Sequence, residues 1–299
     1  HKEPYLRLGK AKTMGKLVRM IDEEGTLSVI AADSTDIVRE MHSIHGTSNV
    51  CSAALGRMLT AATMMGSTLK GKDDSITVKI NGGGPCGTVL AVSDSDGNVR
   101  GCIGKADISL PLNKKGKLDV AGAVGKNGFV TVIKDLGLKE PYIGKTPIVS
   151  GEIAEDITSY YAVSEQIPTV CALGVLTEHD SGEIICAGGF MIQLLPTADD
   201  TIIERVEESI KDLPPVTKML SDGMTPEEIC KKALSKFNLQ LLDETNTAYR
   251  CTCSRERVEK ALIATGKSGL SEMTEDETTE VVCNFCHKKY HFSNCLLYT

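Results

Sequence analysis

The chain has no tryptophan and only seven Tyr and five Phe among its 299 residues. Proteins that hold single-stranded nucleic acid stack bases on aromatic platforms, and this composition hardly supplies them. Positive charge is also short: 33 Lys and Arg stand against 40 Asp and Glu, a formal net charge of −7 with a sequence pI of about 5.5. A dedicated nucleic-acid surface needs a basic field, so nucleic acid is not an expected partner. No run approaches the ~18 apolar residues that span a bilayer, so no membrane is expected either. The start, His1-Lys2-Glu3-Pro4, lacks the apolar h-region of a secretory signal, and no Asn-x-Ser/Thr sequon occurs. Eleven cysteines are an odd count, so a fully paired disulfide framework within one chain is excluded. A reducing cytoplasm fits them better, with most thiols acting as small buried hydrophobes.

What is present, 41% hydrophobic and 24% charged residues, is the composition of a globular protein. The pattern predicts an α+β fold with sheet and helices packed together in a core domain over residues 1–190. Val29–Ala32 reads as a strand. Ser34-Thr35-Asp36 then caps a helix carrying Ile37, Met41 and Ile44 on one face. Ser48 or Asn49 opens a longer helix to about Leu69, with Ala53, Leu55, Met58, Leu59, Ala62 and Met65 spread over several faces, as in a helix packed on more than one side. The period then falls to two in 76–80 and 88–92, and Asp96-Gly97 forms a hairpin turn before Val99–Ile103. Phe129–Leu136 completes the strands.

From Thr201 the period is helical, with Ile202, Val206, Ile210 and Leu213 in one stripe that Pro214-Pro215 ends. Thr225-Pro226-Glu227-Glu228 is a strong helix start. Residues 191–248 are accordingly expected to be a helical linker without a core of its own, and 249–299 a small C-terminal domain.

That last domain holds Cys251-Thr252-Cys253 and, after 29 residues, Cys283-Asn284-Phe285-Cys286. Two close thiol pairs separated by a loop of this size suit one tetrahedral Zn²⁺. A segment of 51 residues with few large apolar side chains seldom folds unaided. A structural Zn²⁺ contributes about 10–16 kcal/mol in comparable modules. Four thiolates leave the site at −2, which Arg250, Arg255, Arg257, Lys288 and Lys289 can offset. His287 and His291 have suitable spacing to replace one sulfur, although four cysteines already complete the set. Cys283-x-x-Cys286-His287 also spells a haem-attachment pattern, but that reading leaves Cys251 and Cys253 unexplained.

Other motifs are weaker. Gly82-Gly83-Gly84-Pro85-Cys86-Gly87 matches Gly-x-Gly-x-x-Gly, yet a β-rich segment follows where a dinucleotide site needs a helix N-terminus. A glycine turn between strands is the better reading. Cys51, Cys86, Cys102, Cys171, Cys186, Cys230 and Cys295 have no partner at ligand or redox spacing. No nucleophile–base arrangement emerges, including around His42 and His45, so an enzyme is not indicated. The competing reading is a thiol–disulfide oxidoreductase that uses Cys283 and Cys286.

The run Tyr249-Arg250-Cys251-Thr252-Cys253-Ser254-Arg255-Glu256-Arg257, with Glu280-Val281-Val282-Cys283-Asn284-Phe285-Cys286, closely resembles the bacterial redox-regulated heat-shock chaperones of about thirty-three kilodaltons, the chaperonin HslO family. Ala53–Arg57, Gly97–Gly101, Ser164–Pro168 and Gly188–Phe190 resemble family segments in the same order. Two departures are Cys102, where the family pattern has Tyr, and the additional Cys295. The resemblance implies a cytoplasmic, ATP-independent holdase for unfolding client proteins, inactive when reduced with one Zn²⁺ per chain and active when oxidised, as a homodimer. It implies that Cys251, Cys253, Cys283 and Cys286 are both the metal ligands and the redox-active disulfide formers. On this reading the stripe Ile202, Val206 and Ile210 is exposed on activation and binds clients.

Overall fold

The computed structural model describes residues 14–264 and 278–293. The chain divides into two compact units, His1–Tyr249 and Arg250–Thr299.

In the first unit, β1 (Gly15–Asp22) and β2 (Leu27–Asp33) lead into helices α1 (Thr35–His45) and α2 (Asn49–Gly66). Strands β3 (Ser75–Gly83), β4 (Val89–Asp94) and β5 (Val99–Ile103) precede the short α3 (Val120–Val124), then β6 (Gly125–Asp135), β7 (Tyr142–Pro147) and α4 (Ala154–Tyr160), which ends in a π-helical turn, Tyr161–Glu165. After β8 (Thr169–Thr177) and β9 (Ile184–Leu194) come α5 (Asp200–Ile210), α6 (Val216–Ser221), α7 (Pro226–Ala233) and β10 (Leu239–Thr247). Two five-stranded antiparallel sheets result, in the orders β10-β1-β2-β9-β8 and β5-β4-β3-β6-β7.

Helix α2 lies between the sheets, touching β8 and β9 of one and β4 and β5 of the other. Sixteen of its 18 residues are buried, which is why its apolar and small side chains occupy every face rather than one stripe. The glycine segment 82–87 ends β3 and turns the chain into β4. A Cβ on Gly82 or Gly84 would sit 2.1 Å from the Gly125 carbonyl or 2.3 Å from that of Ala123, so glycine is required by close backbone approach rather than by phosphate.

The first sheet is covered on both faces. One face joins the α2 core, and the other packs α5–α7. The stretch expected to lack a core therefore forms a second hydrophobic cluster, in which Ile202, Val206, Met219, Ile229 and Cys230 meet Val18, Val29, Phe190 and Ile192. The expected linker, 191–248, also begins inside β9 and ends with β10, which pairs with β1 and is clamped by the ion pairs Arg19–Asp243 and Lys16–Glu244 (2.9 Å). Asp199 caps α5 by accepting from the Thr201 and Ile202 N–H groups, and Thr225 and Glu228 form a reciprocal capping box on α7. The first unit ends on Tyr249, whose hydroxyl donates to the Gly101 carbonyl at 2.9 Å and lies 3.3 Å from His45 Nε2.

In the second unit, α8 (Arg255–Ala264) packs with the hairpin β11 (Thr278–Val282) and β12 (Lys289–Ser293) around Leu262, Tyr290 and Phe292. Cys295 lies outside the described residues.

Because α7 is eight residues long and leans on its cap, Thr225→Ala is expected to destabilise the first unit by about 1 kcal/mol. Urea denaturation followed by far-UV circular dichroism checks this through a lowered midpoint.

Candidate metal centre

Cys251 and Cys253 sit on the loop before α8, and Cys283 and Cys286 on the turn between β11 and β12. Each pair is positioned locally. Ser254 caps α8 by accepting from the Arg257 N–H at 3.2 Å, which fixes the chain immediately after Cys253. The Arg257 guanidinium donates to the Thr252 carbonyl (3.1 Å) and hydroxyl (2.6 Å), pinning the residue between the first two sulfurs. On the turn, Cys283 N–H donates to the Lys288 carbonyl at 3.0 Å and His287 N–H to the Cys283 carbonyl at 2.8 Å. His287 takes a left-handed conformation, φ 56°, to close it. Arg255 ties the halves together, donating to the His291 carbonyl at 2.9 Å and lying 4.5 Å from the Phe292 ring centroid.

The four sulfurs converge. All lie within 4.8 Å of one another, with Cys251–Cys283 at 3.7 Å and Cys253–Cys286 at 3.4 Å. A tetrahedral ion with bonds of about 2.3 Å to sulfur places its ligands about 3.8 Å apart, so the donor set fits a single soft cation. The same distances are far beyond a disulfide bond of about 2.05 Å, so the four are thiols.

Electrostatics argue the same way. Burial drives Cys251 well above the usual thiol range, against a backbone hydrogen bond from Cys253, and Cys286 is also raised, chiefly by burial. Burial acts upward on Cys253 too, but hydrogen bonds from Tyr290 and the other three thiols outweigh it and hold Cys253 at about 7. One thiolate is thus favoured, while like-charge repulsion opposes a second. A cation at the centre removes that conflict and allows all four to ionise.

The remaining described thiols have the opposite character. Burial pushes Cys86, Cys171 and Cys230 up to about 12 and Cys186 to about 11, and raises Cys51 as well. Protonated thiols of this kind are poor nucleophiles. Cys102, half-buried on β5, lies outside the cluster. His291 faces Glu280 at 3.6 Å rather than the sulfurs. Cys283-x-x-Cys286 occupies a hairpin turn, not the helix N-terminus that lowers the thiol pKa in dithiol oxidoreductases.

The family model described as Hsp33 protein matches residues 15–293. The chain belongs to the Hsp33 family. It is 47% identical over 279 residues to a 33 kDa chaperonin of Clostridium botulinum (strain Alaska E43 / Type E3), covering 93% of this chain and 94% of that one. It is also 47% identical over 278 residues to the 33 kDa chaperonin of Acetivibrio thermocellus, covering 93% of each. Among solved structures, the crystal structure of the 33 kDa chaperonin (heat shock protein 33 homolog) from Thermotoga maritima matches with a TM-score of 0.84 and 34% identity, over 96% of this chain and 97% of that one.

The stripe Ile202, Val206 and Ile210 is not part of this Hsp33 centre. Ile202 and Val206 are buried and Ile210 half-buried on the first sheet. Among the described residues, no helix is long and apolar enough to cross a membrane.

Two contributors escaped the sequence reading. Tyr290 donates its hydroxyl to Cys253 Sγ at 3.1 Å, the kind of outer contact that orients a ligand. Arg257, expected to offset charge, also shapes the Cys-x-Cys loop. Tyr290→Phe is expected to weaken metal retention by about 10- to 100-fold while leaving all four ligands in place. Competition with a chromogenic chelator reads this directly.

Proposed function

We propose that this Hsp33-family chain is an ATP-independent holdase whose affinity for unfolding clients is switched on by oxidation of Cys251, Cys253, Cys283 and Cys286. The observation that carries the reading is the convergence of these four sulfurs in a small unit whose described residues bury Leu262, Tyr290 and Phe292. Zinc, when bound, supplies the positive charge that keeps the four sulfurs as thiolates and links the two halves of the unit. Every further step belongs to the protein's own groups.

The thiolates of Cys283 and Cys286 are the electron donors. One attacks peroxide, forming a sulfenic acid and releasing hydroxide. The second thiolate then attacks the sulfenic sulfur, giving the disulfide and a second hydroxide, so that two electrons pass to one peroxide. Cys251 and Cys253 supply a second pair by the same route. Their separation of one residue favours ligation over a relaxed disulfide, which keeps the change reversible by cellular dithiols.

Pairing the sulfurs abolishes the four-thiolate donor set, and a unit of this size with few large apolar side chains in its sequence seldom stays folded unaided. Disorder then reaches residues 191–248 through the covalent connection at Arg250. Ile202, Val206 and Ile210 leave the sheet and present apolar surface to clients. Burial of each large apolar side chain is worth about 1.5–3 kcal/mol, so release is costly until the C-terminal unit is lost. Thiols that stay unpaired in the reduced state fit a cytoplasmic setting, and homodimerisation of the active form adds area for capture.

The test is aggregation of a denatured client in the presence of reduced or peroxide-treated protein, with released zinc measured alongside. Suppression by the oxidised form only, with about one zinc lost per chain, is expected. Equal activity in both states sinks the switch. Replacing both Ile202 and Val206 by Ser is expected to loosen α5 in the reduced protein and to reduce capture by the oxidised protein. Undiminished oxidised activity would remove this stripe from the client site.

A further inference from the structure

The strand that leads toward the four sulfurs changes sheets on its way. β10 pairs with β1, in the first sheet, as far as Thr247 opposite Gly15. The next two residues join the other sheet. Val99 N–H on β5 donates to the Ala248 carbonyl at 3.0 Å, and Val99 bridges to Tyr249 in parallel. Tyr249 then closes the join with its side chain. Its hydroxyl donates to the Gly101 carbonyl at 2.9 Å and accepts from the Gly101 N–H at 3.4 Å. It also lies 3.3 Å from Nε2 of His45, the last residue of α1. Residues 247–249 therefore tie the β1 side of one sheet to the β5 edge of the other, just ahead of Cys251.

Thr247, at the crossing, is wedged between backbone of both sheets. A Cβ on Gly15, where β1 begins, would lie 2.8 Å from Thr247 Oγ1. One on Gly97, in the turn before β5, would lie 3.0 Å from Thr247 Cγ2. Two glycines thus make room for this one side chain. Thr247 is fully buried, yet its hydroxyl has no hydrogen-bond partner among the described residues. A buried hydroxyl of this kind loses its hydrogen bonds to water and gains none in return. Valine has nearly the same shape, suits a strand as well and carries no such penalty. The crossing is weaker than its packing requires.

The position of the weakness is informative. Farther back along β10, Asp243 and Glu244 are held by Arg19 and Lys16. The unpaired hydroxyl sits instead at the end nearest the sulfurs, beside the tyrosine that fastens that end.

We propose that residues 247–249 form a clasp between the two sheets, with its strength set by two opposed hydroxyls. The Tyr249 hydroxyl holds the clasp shut through Gly101 and His45, and the Thr247 hydroxyl keeps it weak. Their balance fixes how readily the first unit opens along β10. Both are positioning residues, since neither belongs to the sulfur donor set. The inference rests on the reading that loss of the C-terminal unit is passed to residues 191–248. It adds which side chains set the threshold for that passage.

The experiment is amide hydrogen exchange over 239–249 in the reduced, metal-loaded full chain. Tyr249→Phe keeps the ring and removes the bonds to Gly101, so exchange is expected to rise about five- to tenfold. Thr247→Val removes the unpaired hydroxyl, and exchange is expected to fall by a similar factor. The double variant should lie between the two, a rescue that simple packing damage does not produce. Zinc retention, read by chelator competition, should be unchanged in all three. Exchange unmoved in both single variants, moved the same way in both, or moved only in step with zinc retention overturns the proposal. In graded peroxide, Tyr249→Phe should suppress client aggregation at a smaller fraction of zinc lost than wild type, and Thr247→Val at a larger one. Activity that tracks zinc loss identically in the three proteins also overturns it. Oxidised wild-type protein that suppresses no aggregation, with exchange shifted as stated, sinks the redox switch and leaves the clasp. A working switch with exchange unmoved sinks the clasp alone.

Discussion

Four sulfurs held within 4.8 Å of one another cannot all be charged unless a cation sits among them. The C-terminal unit is organised around that conflict. Ser254 and Arg257 set the Cys-x-Cys loop, the turn from Cys283 to Lys288 sets the second pair, and Tyr290 weights the charge toward Cys253. Among the described residues the apolar contribution comes from Leu262, Tyr290 and Phe292. Metal binding at a donor set of this kind is coupled to folding, because the unfolded chain offers no preformed site.

The parts of this structure that were legible in the sequence are those whose physics is local. Ligand pairs two and three residues apart, the Thr225–Glu228 box, the Asp96-Gly97 turn before β5, and the all-round apolar content of α2 can each be read within a single window. What was hidden depended on distant partners. β9 is buried through Phe190, Met191 and Ile192 because helices cover both faces of its sheet, so it shows no alternation, and the core domain was ended in its middle. β10 is amphipathic only with respect to β1, which lies more than two hundred residues earlier, and its pairing is signalled by nothing nearby. Arg257 and Tyr290 looked like a charge and an aromatic, and their roles exist only once hairpin and helix face each other.

The first sheet carries two different obligations. Its α2 side belongs to the permanent core, while its α5–α7 side is closed by helices of six to eleven residues that depend on caps and on a few large side chains. Short helices of this kind are marginal on their own, so their order is borrowed from the surface they cover. The face they cover presents Val18, Val29, Phe190 and Ile192 on a hydrogen-bonded sheet.

Tyr249 and β10 set the order in which the first unit can be loosened from its C-terminal end. A strand at the edge of a sheet that is loosened from its C-terminal end unzips rung by rung, unlike a strand sheared along its length. Fraying that starts at Arg250 meets the Tyr249 hydroxyl on Gly101 first, then the pairing of Thr247 with Gly15, then Glu244 on Lys16, and last Asp243 on Arg19. Each is a separate stop. Any opening of the first unit from its C-terminal end is therefore staged like a ratchet, with resting points at which it can be reversed.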